Sequence, residues 1–149
     1  IVWQGGYNGH DYDIYLYDLS TGQEKRITPD SRDQFFPSIS GDKIVWGDRR
    51  NGYTNTDIYL YDLSTGEEKQ ITTNPSDQSY PSISGNRIVW QDSRNGNFDI
   101  YLYDLSTGEE KQITTDPLSQ LKPSISGNKI VWMDRRDVVN YNIYMATLN

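Results

Sequence analysis

Residues 57–73 read DIYLYDLSTGEEKQITT, and the same letters return without a change at residues 99–115. Residues 13–28 carry a further copy that differs only at Gln23 and Arg26. The string IVW opens at Ile1, Ile44, Ile88 and Ile130, so the repeat has a period of 42 to 44 residues. A period of this length is typical of solenoids and of propellers built from four-stranded blades.

The residues within one repeat favour the propeller. Short β-branched and aromatic runs alternate with Gly, Asn and Asp turns, and no stretch has helical spacing. The strands predicted for one copy, labelled a to d, are Pro81–Ser84, Arg87–Gln91, Asp99–Leu105 and Glu109–Thr114. Strand c is apolar on both faces, because Tyr101 and Tyr103 alternate with Ile100 and Leu102. A four-stranded antiparallel sheet covered on both sides by copies of itself is a propeller blade, so we predict an all-β propeller.

The register of the repeats predicts about fourteen strands in a single domain over residues 1–149. The chain should supply strands b, c and d of a first blade, complete blades over 37–72 and 81–114, and strands a, b and c of a last blade. Blades of this length usually close into a larger ring, so each chain end should expose an apolar face. We therefore predict either association with protein, through self-association of the open ends or with other propeller blades, or a ring that is completed by further sequence of a longer chain. The predicted contact joins residues 14–16 to residues 143–145. The number of blades in the closed ring is left open.

Charge and hydropathy exclude two classes of partner. The chain has 21 acidic and 14 basic residues and a net charge of −7, which repels the phosphate backbone of nucleic acids. It has no apolar run near the roughly 18 residues that a membrane span needs, so membrane insertion is not expected. There is no cysteine, so thiolate metal sites and disulfides are excluded.

The consensus P-S-I-S-G-N-x-I-V-W-x-D-x-R-N-G-x-x-D-I-Y-L-Y-D-L-S-T-G resembles the TolB-like β-propeller repeat, over essentially the whole chain. It is most similar to the near-identical arrays of archaeal and bacterial cell-surface proteins. The resemblance implies a propeller fold and an extracellular, cell-surface or periplasmic location. It does not imply one function, because the family includes translocation factors, surface proteins, gating domains of peptidases and a few lyases.

An Asp-x-Arg pair follows the tryptophan in three of the repeats. The pairs are Asp48/Arg50, Asp92/Arg94 and Asp134/Arg136. Residues two apart lie on the same side of an extended strand, so we predict ion pairs that orient the following loop or bridge adjacent blades. The alternative is that Arg50, Arg94 and Arg136 grip an anionic ligand.

Further binding candidates come from the loops between strands b and c, predicted over 4–12, 48–56, 92–98 and 134–141. These loops vary, whereas the a-to-b and c-to-d turns hardly change, and variable loops on a rigid scaffold usually carry function. Tyr7, His10 and Asp11 form a cluster there that no other repeat copies. Gln34, Gln78 and Gln120 each precede a proline by three positions, near the predicted mouth of the channel. They are expected either to bond a neighbouring blade or to bind a ligand.

Metal binding and catalysis have weaker signals. Asp92, Asn95 and Asp99 offer oxygen ligands for Ca²⁺ but lack the spacing of an EF-hand loop, so no cofactor or metal is otherwise expected. His10 is the single histidine and nearly every acid is copied between repeats, so we predict no catalytic residues and no enzyme activity. The sequence favours a non-catalytic propeller for protein association or cell-surface structure. The alternative is a carbohydrate-binding or carbohydrate-active propeller with a site on the variable loop face; the ligand is not identified.

Overall fold

The computed structural model describes residues 1–7, 10–29 and 31–148, and the side chains of Tyr7 and His10 lie outside the described part. The described residues form strands and turns only, and none of them forms a helix that could cross a membrane. The fourteen strands are β1 Val2–Tyr7, β2 His10–Asp18, β3 Gln23–Arg26, β4 Gln34–Ser40, β5 Lys43–Asp48, β6 Asp57–Asp62, β7 Glu67–Gln70, β8 Gln78–Ser84, β9 Arg87–Asp92, β10 Asp99–Asp104, β11 Glu109–Gln112, β12 Gln120–Ser126, β13 Lys129–Asp134 and β14 Asn142–Thr147. The predicted all-β class is confirmed.

The strands form four antiparallel sheets, which we number blades 1 to 4. Their orders are β1-β2-β3, β4-β5-β6-β7, β8-β9-β10-β11 and β12-β13-β14. Blade 1 therefore lacks strand a and blade 4 lacks strand d, as the register of the repeats predicted. The two complete blades lie between them.

Strand a begins earlier than the sequence suggested. It starts at Gln34, Gln78 and Gln120, three positions before the proline. The residue before each proline, Phe36, Tyr80 or Lys122, has a φ of 50° to 55° and interrupts the ladder with strand b. Such a bulge lets the chain pair on both sides of a proline that cannot donate a hydrogen bond.

The first b-to-c connection also differs from the prediction. Residues 4–12 were expected to be a loop, but the β1–β2 ladder continues to the pair Tyr7 and His10. Strands β5, β9 and β13 end at the aspartate of the Asp-x-Arg pair. Blade 1 has Gly5 at that position and no such pair, so nothing there turns the strand out of the ladder.

The core lies between the blades. In blades 2 to 4 the tryptophan and the isoleucine two residues before it pack against the preceding blade. In blades 2 and 3 the valine between them, with the Ile and Leu of strand c, packs against the following blade. Trp90 and Tyr101 of blade 3 thus pack on Val45, Ile58 and Leu60 of blade 2. Trp46 packs in the same way on blade 1, and both indole rings are fully buried, which confirms their predicted structural role.

Serines of strand a bind the next blade. The Oγ atom of Ser40 accepts a hydrogen bond from the Gly85 N–H at 2.9 Å, and Ser84 accepts one from Gly127 at 3.0 Å. The side chain of Gln91 accepts a hydrogen bond from the Lys122 N–H at 2.9 Å. These contacts align each blade with the next, because a side chain of one blade binds a backbone N–H of the following blade at the same position in each repeat.

Both end blades leave an apolar face uncovered within the chain. In blade 4, Ile143 and Met145 are 72% and 58% exposed, whereas Ile100 and Leu102, their counterparts in blade 3, are 0% and 7% exposed. In blade 1 the outward residues include Trp3, Tyr15 and Tyr17. The predicted contact over residues 14–16 needs correction, because Ile14 and Leu16 pack against blade 2 and only Tyr15 faces outward.

Candidate functional site

The Asp-x-Arg pairs close within their own blade. In blade 3, Asp92 Oδ2 accepts hydrogen bonds from Trp90 Nε1 at 3.0 Å and from Arg94 Nη2 at 2.5 Å. Its Oδ1 atom accepts one from the Arg94 backbone N–H at 3.0 Å, and the aspartate is fully buried. Asp48 and Asp134 make the same three contacts in blades 2 and 4. The ion pair therefore orients the loop and does not bridge blades.

The arginines of the complete blades bind a second carboxylate. Arg94 Nη1 lies 2.6 Å from Glu110 Oε1 on β11, and Arg50 Nη1 lies 2.6 Å from Glu68 Oε1 on β7. Each guanidinium also stacks over a tyrosine of strand c, at 4.2 Å for Arg94 and Tyr101. Burial alone lowers the pKa of Arg94, but the bonds to Asp92 and Glu110 outweigh it and raise the pKa. These two predicted anion-binding residues are thus engaged in structural ion pairs.

Arg136 in blade 4 differs from its two counterparts. It binds Asp134 at 2.6 Å and lies over the Tyr144 ring at 3.9 Å. Blade 4 has no strand d, and among the described residues no glutamate reaches Arg136. Its side chain is 39% exposed, against 22% for Arg50 and 21% for Arg94. Of the three predicted arginines, Arg136 is thus the most exposed.

The calcium candidates meet through hydrogen bonds between themselves. Asn95 Nδ2 donates to Asp99 Oδ2 and to the Tyr101 hydroxyl, both at 3.0 Å. Asp92 is engaged by Trp90 and Arg94 as described above. Burial, followed by repulsion from Asp92, raises the pKa of Asp99. Within the described ranges no three His, Cys, Asp or Glu side chains lie close enough to hold a metal ion.

The three glutamines do not face a ligand surface. Gln34, Gln78 and Gln120 are fully buried, and each Nε2 donates to the carbonyl two residues earlier in the d-to-a linker. The neighbouring blade is bound by their backbone instead, since the Gln78 N–H donates to the Thr56 carbonyl at 2.8 Å. The linker therefore covers these side chains, and whether they bind a ligand stays a prediction.

The non-repeated cluster can be placed only in part. Asp11 lies on β2 and is exposed. Tyr7 and His10 pair through their backbones at the end of the β1–β2 hairpin, and their side chains lie outside the described residues. The three residues thus share one hairpin, and whether they bind a ligand stays a prediction.

The sequence reading missed a surface at the innermost strands, which we call the axial groove. Phe36, Tyr80 and Lys122 line it, together with the proline and serine that follow each of them. The Phe36 and Tyr80 rings stack at 3.9 Å between centroids, and Lys122 Nζ lies 5.4 Å from the Tyr80 ring. The sequence did contain a signal for this groove. The residue before each repeated proline differs between the repeats, whereas the proline and the serine after it are the same in each.

Comparison with solved structures agrees with this architecture. TolB from Acinetobacter baumannii superposes with a TM-score of 0.74 and 30% identity, covering 93% of this chain and 36% of that one. The putative TolB from Agrobacterium tumefaciens gives a TM-score of 0.79 and 22% identity, covering 97% and 56%. The chain has the TolB-type β-propeller fold.

This TolB-like chain also matches propellers of peptidases. The Pyrococcus horikoshii acylaminoacyl peptidase has a TM-score of 0.72 at 16% identity, covering 97% of this chain and 23% of that one. The chain spans about one third to one half of the TolB chains that it matches. No protein-family model and no curated protein matches the sequence. The shared feature of these structures is therefore the blade architecture.

Proposed function

We propose that this chain is a non-catalytic propeller module that associates with protein through its open blade faces. The observation that carries the proposal is the outer face of blade 4. Val131, Ile143 and Met145 are exposed there, at positions where blade 3 buries Val89, Ile100 and Leu102. Contiguous apolar faces of this kind mark interaction surfaces, because burying them from water is favourable by about 25 cal/mol per Å².

The absence of catalysis is proposed from what the polar groups already do. The pKa values of Asp57 and Asp99 are raised by burial, yet both residues are copies of one repeat position and accept a hydrogen bond from an asparagine of their own blade. A catalytic acid or base is a single group matched to one substrate, whereas these two aspartates make the same structural contact in two blades. The proposed location, at the cell surface or in another extracytoplasmic space, rests on the resemblance of the repeat.

Sedimentation velocity over micromolar concentrations tests the association. We expect the chain to associate, and Met145→Lys to shift it to the monomer, because a charge on the open face cannot be buried unpaired. Tyr53→Lys is the matched control, since Tyr53 is 68% exposed in a loop of blade 2, whose two faces are both covered by neighbouring blades. A chain that sediments as a monomer at every concentration, without binding a hydrophobic dye, contradicts the proposal.

Carbohydrate binding is a second candidate, and the axial groove favours it. The ring of Phe36 is partly exposed while stacked on Tyr80, and aromatic faces beside a polar rim suit a sugar ring. A glycan array is the direct test, with Phe36→Ala as the variant that should remove any signal. Retention of glycan binding by that variant contradicts a site in the groove.

A further inference from the structure

We propose that the axial groove binds a small ring-shaped ligand that carries a carboxylate. Lys122 binds the carboxylate, and Tyr80 contacts the ring. This inference goes beyond the association proposed above and does not depend on it, because the groove lies along strand a of blades 2 to 4 and not on an open blade face. It shares its place with the carbohydrate candidate, to which it adds the requirement of a negative charge.

The three variable side chains of the groove start from a strained backbone. Phe36, Tyr80 and Lys122 have φ values of 55°, 54° and 50°, and in the described part of the chain no other residue except glycine has a positive φ. A side chain in this region costs energy that glycine avoids, because the Cβ atom crowds the backbone. Strain that recurs within one groove points to function, since ligand sites are where such strain is retained.

The sequence changes at this position while its surroundings are kept. The repeat reads x-P-S-I-S-G in blades 2, 3 and 4, and x is Phe36, Tyr80 or Lys122. The exchange leaves the scaffold intact and alters only the chemistry that the groove presents. Phe36 and Tyr80 contribute two rings stacked at 3.9 Å between centroids, and Lys122 contributes a positive charge. A constant frame with one variable side chain is what a specificity-determining position requires.

Neighbouring blades hold the strained residues in place. The Phe36 N–H donates to the Gln4 side chain of blade 1, and the Lys122 N–H donates to the Gln91 side chain of blade 3, both at 2.9 Å. The Tyr80 ring is held by its stack on Phe36. The groove is thus formed before a ligand enters, which lowers the entropy that binding costs.

The polar groups of the groove suit an anion. Lys122 Nζ lies 5.4 Å from the Tyr80 ring, and no acidic residue of the described chain lines the groove. The Oγ atoms of Ser38 and Ser82 accept backbone N–H hydrogen bonds at 3.3 and 3.2 Å, so each hydroxyl keeps its proton to donate. An ammonium group beside hydroxyl donors is complementary to a carboxylate, because charge-assisted hydrogen bonds are the stronger ones.

The size of the groove limits the ligand to about one ring. Its volume is about 270 Å³, below the range of about 300 to 1,000 Å³ for sites that hold drug-sized ligands. Pro37, Pro81 and Pro123 line it beside the aromatic pair, so most of its surface is apolar. A flat ring against these side chains, with its carboxylate at Lys122, uses both the apolar and the charged part of the groove.

Two matched pairs of probes test the ligand. Benzoate is compared with benzyl alcohol, and glucuronate with glucose, by calorimetry and by amide chemical shifts of the chain. In at least one pair we expect the charged probe to bind about tenfold more tightly than the neutral one, with shifts at residues 80–84 and 122–126. A preference in the first pair supports an aromatic acid, and one in the second supports a sugar acid. Equal binding within both pairs, or no binding by any probe, overturns the inference.

Variants of two lysines test the place. Lys122→Gln should weaken the charged probe about tenfold and remove its preference over the neutral one. Lys111→Gln is the matched control, because Lys111 is exposed on β11 and the change in net charge is the same. Lys122→Gly should also lose the probe, but its melting temperature should not fall, since glycine relieves the left-handed strain. Unaltered binding by Lys122→Gln, an equal loss in Lys111→Gln, or a less stable Lys122→Gly variant overturns the inference.

The same probes separate this site from the blade-face association. Met145→Lys should bind the charged probe like the parent, and a loss of binding in this variant overturns the placement in the groove. Failure of all probes with sedimentation still showing association overturns this inference alone. Probe binding by a chain that stays monomeric at every concentration supports the groove and overturns the blade-face association alone.

Discussion

The indole of Trp90 joins two kinds of interaction at one residue. Its ring packs on Val45, Ile58 and Leu60 of the preceding blade, while its Nε1–H binds the buried carboxylate of Asp92. A large ring between sheets supplies apolar area, and the polar edge prevents the aspartate from lying unpaired in the interior. The same residue therefore supports the blade interface and the loop that follows strand b.

Truncation of this ring should be costly. We expect Trp90→Ala to lower the free energy of unfolding by about 3 to 5 kcal/mol, the range for large aromatic side chains in a core. Trp3→Ala is the control, because Trp3 lies on the open face of blade 1 and is only half-buried. Urea denaturation of both variants compares them. A cost for Trp3→Ala equal to that for Trp90→Ala would contradict burial as the cause.

Asp99 gives a pH-dependent prediction. Burial and then Asp92 raise its pKa above the ordinary value of 3.8, so the folded chain holds this proton more tightly than the unfolded chain. The stability that this proton contributes is fully present below the pKa that Asp99 has in the unfolded chain. It is lost as the pH rises through the pKa that Asp99 has in the folded chain. We therefore expect Asp99→Asn to raise the melting temperature at pH 7. The difference should vanish below about pH 3.8, and a variant less stable at pH 7 would contradict this.

Fixed spacing explains which residue roles could be predicted. The tryptophans and the Asp-x-Arg pairs lie within one strand or directly after it, so their relative positions follow from the geometry of a strand. The burial of Gln34 depends on the path of the d-to-a linker, which the sequence does not determine. The left-handed φ of Phe36, Tyr80 and Lys122 was equally hidden, because none of these residue types favours that region.

At the scale of the element, strand a carries the contacts between blades. Its serines accept backbone hydrogen bonds from the next strand a and from the turn that follows it, and its bulge places Phe36 and Tyr80 toward the axial groove. The outer strand d, in contrast, is short, charged and exposed. Short charged edges of this kind oppose unwanted pairing with other strands.

The serines provide a matched test of one hydrogen bond. Ser84→Ala should cost about 1 kcal/mol of unfolding free energy, because it leaves the Gly127 N–H without its acceptor. Ser126→Ala makes the same chemical change at the repeat position of blade 4, where no following blade lies within the chain. Its effect should remain within about 0.5 kcal/mol. Thermal unfolding of dilute, monomeric samples measures both, and equal effects would contradict the role of strand a.

Strand number and order could be predicted because turn residues separate each β-branched run at a constant period. The length of the β1–β2 hairpin could not be predicted from the other repeats, since the first repeat lacks the Asp-x-Arg pair at which strand b ends elsewhere. The early start of strand a was missed for a related reason. A proline suggested the beginning of the strand, but the bulge at Tyr80 allows pairing from Gln78 onward.

The described residues form a series of blades whose core clusters each join one blade to the next. Blades 2 and 3 are covered on both faces, whereas blades 1 and 4 are covered on one. In such repeat structures, stability is close to a sum of blade terms and interface terms. The middle blades should then be more stable locally than the end blades, although all share nearly the same sequence.

Hydrogen exchange can detect this difference directly. We expect amides of β6 and β10 to exchange more slowly than those of β2 and β14 in the monomer, because opening a middle blade exposes two interfaces and opening an end blade exposes one. The comparison between β6, β10 and β2 is well matched, since the strands share the sequence DIYLYD. Exchange measured by mass spectrometry at low concentration avoids protection through association. Uniform protection of the three strands would contradict the additive description, whereas a rise in β14 protection at high concentration would locate the association at blade 4.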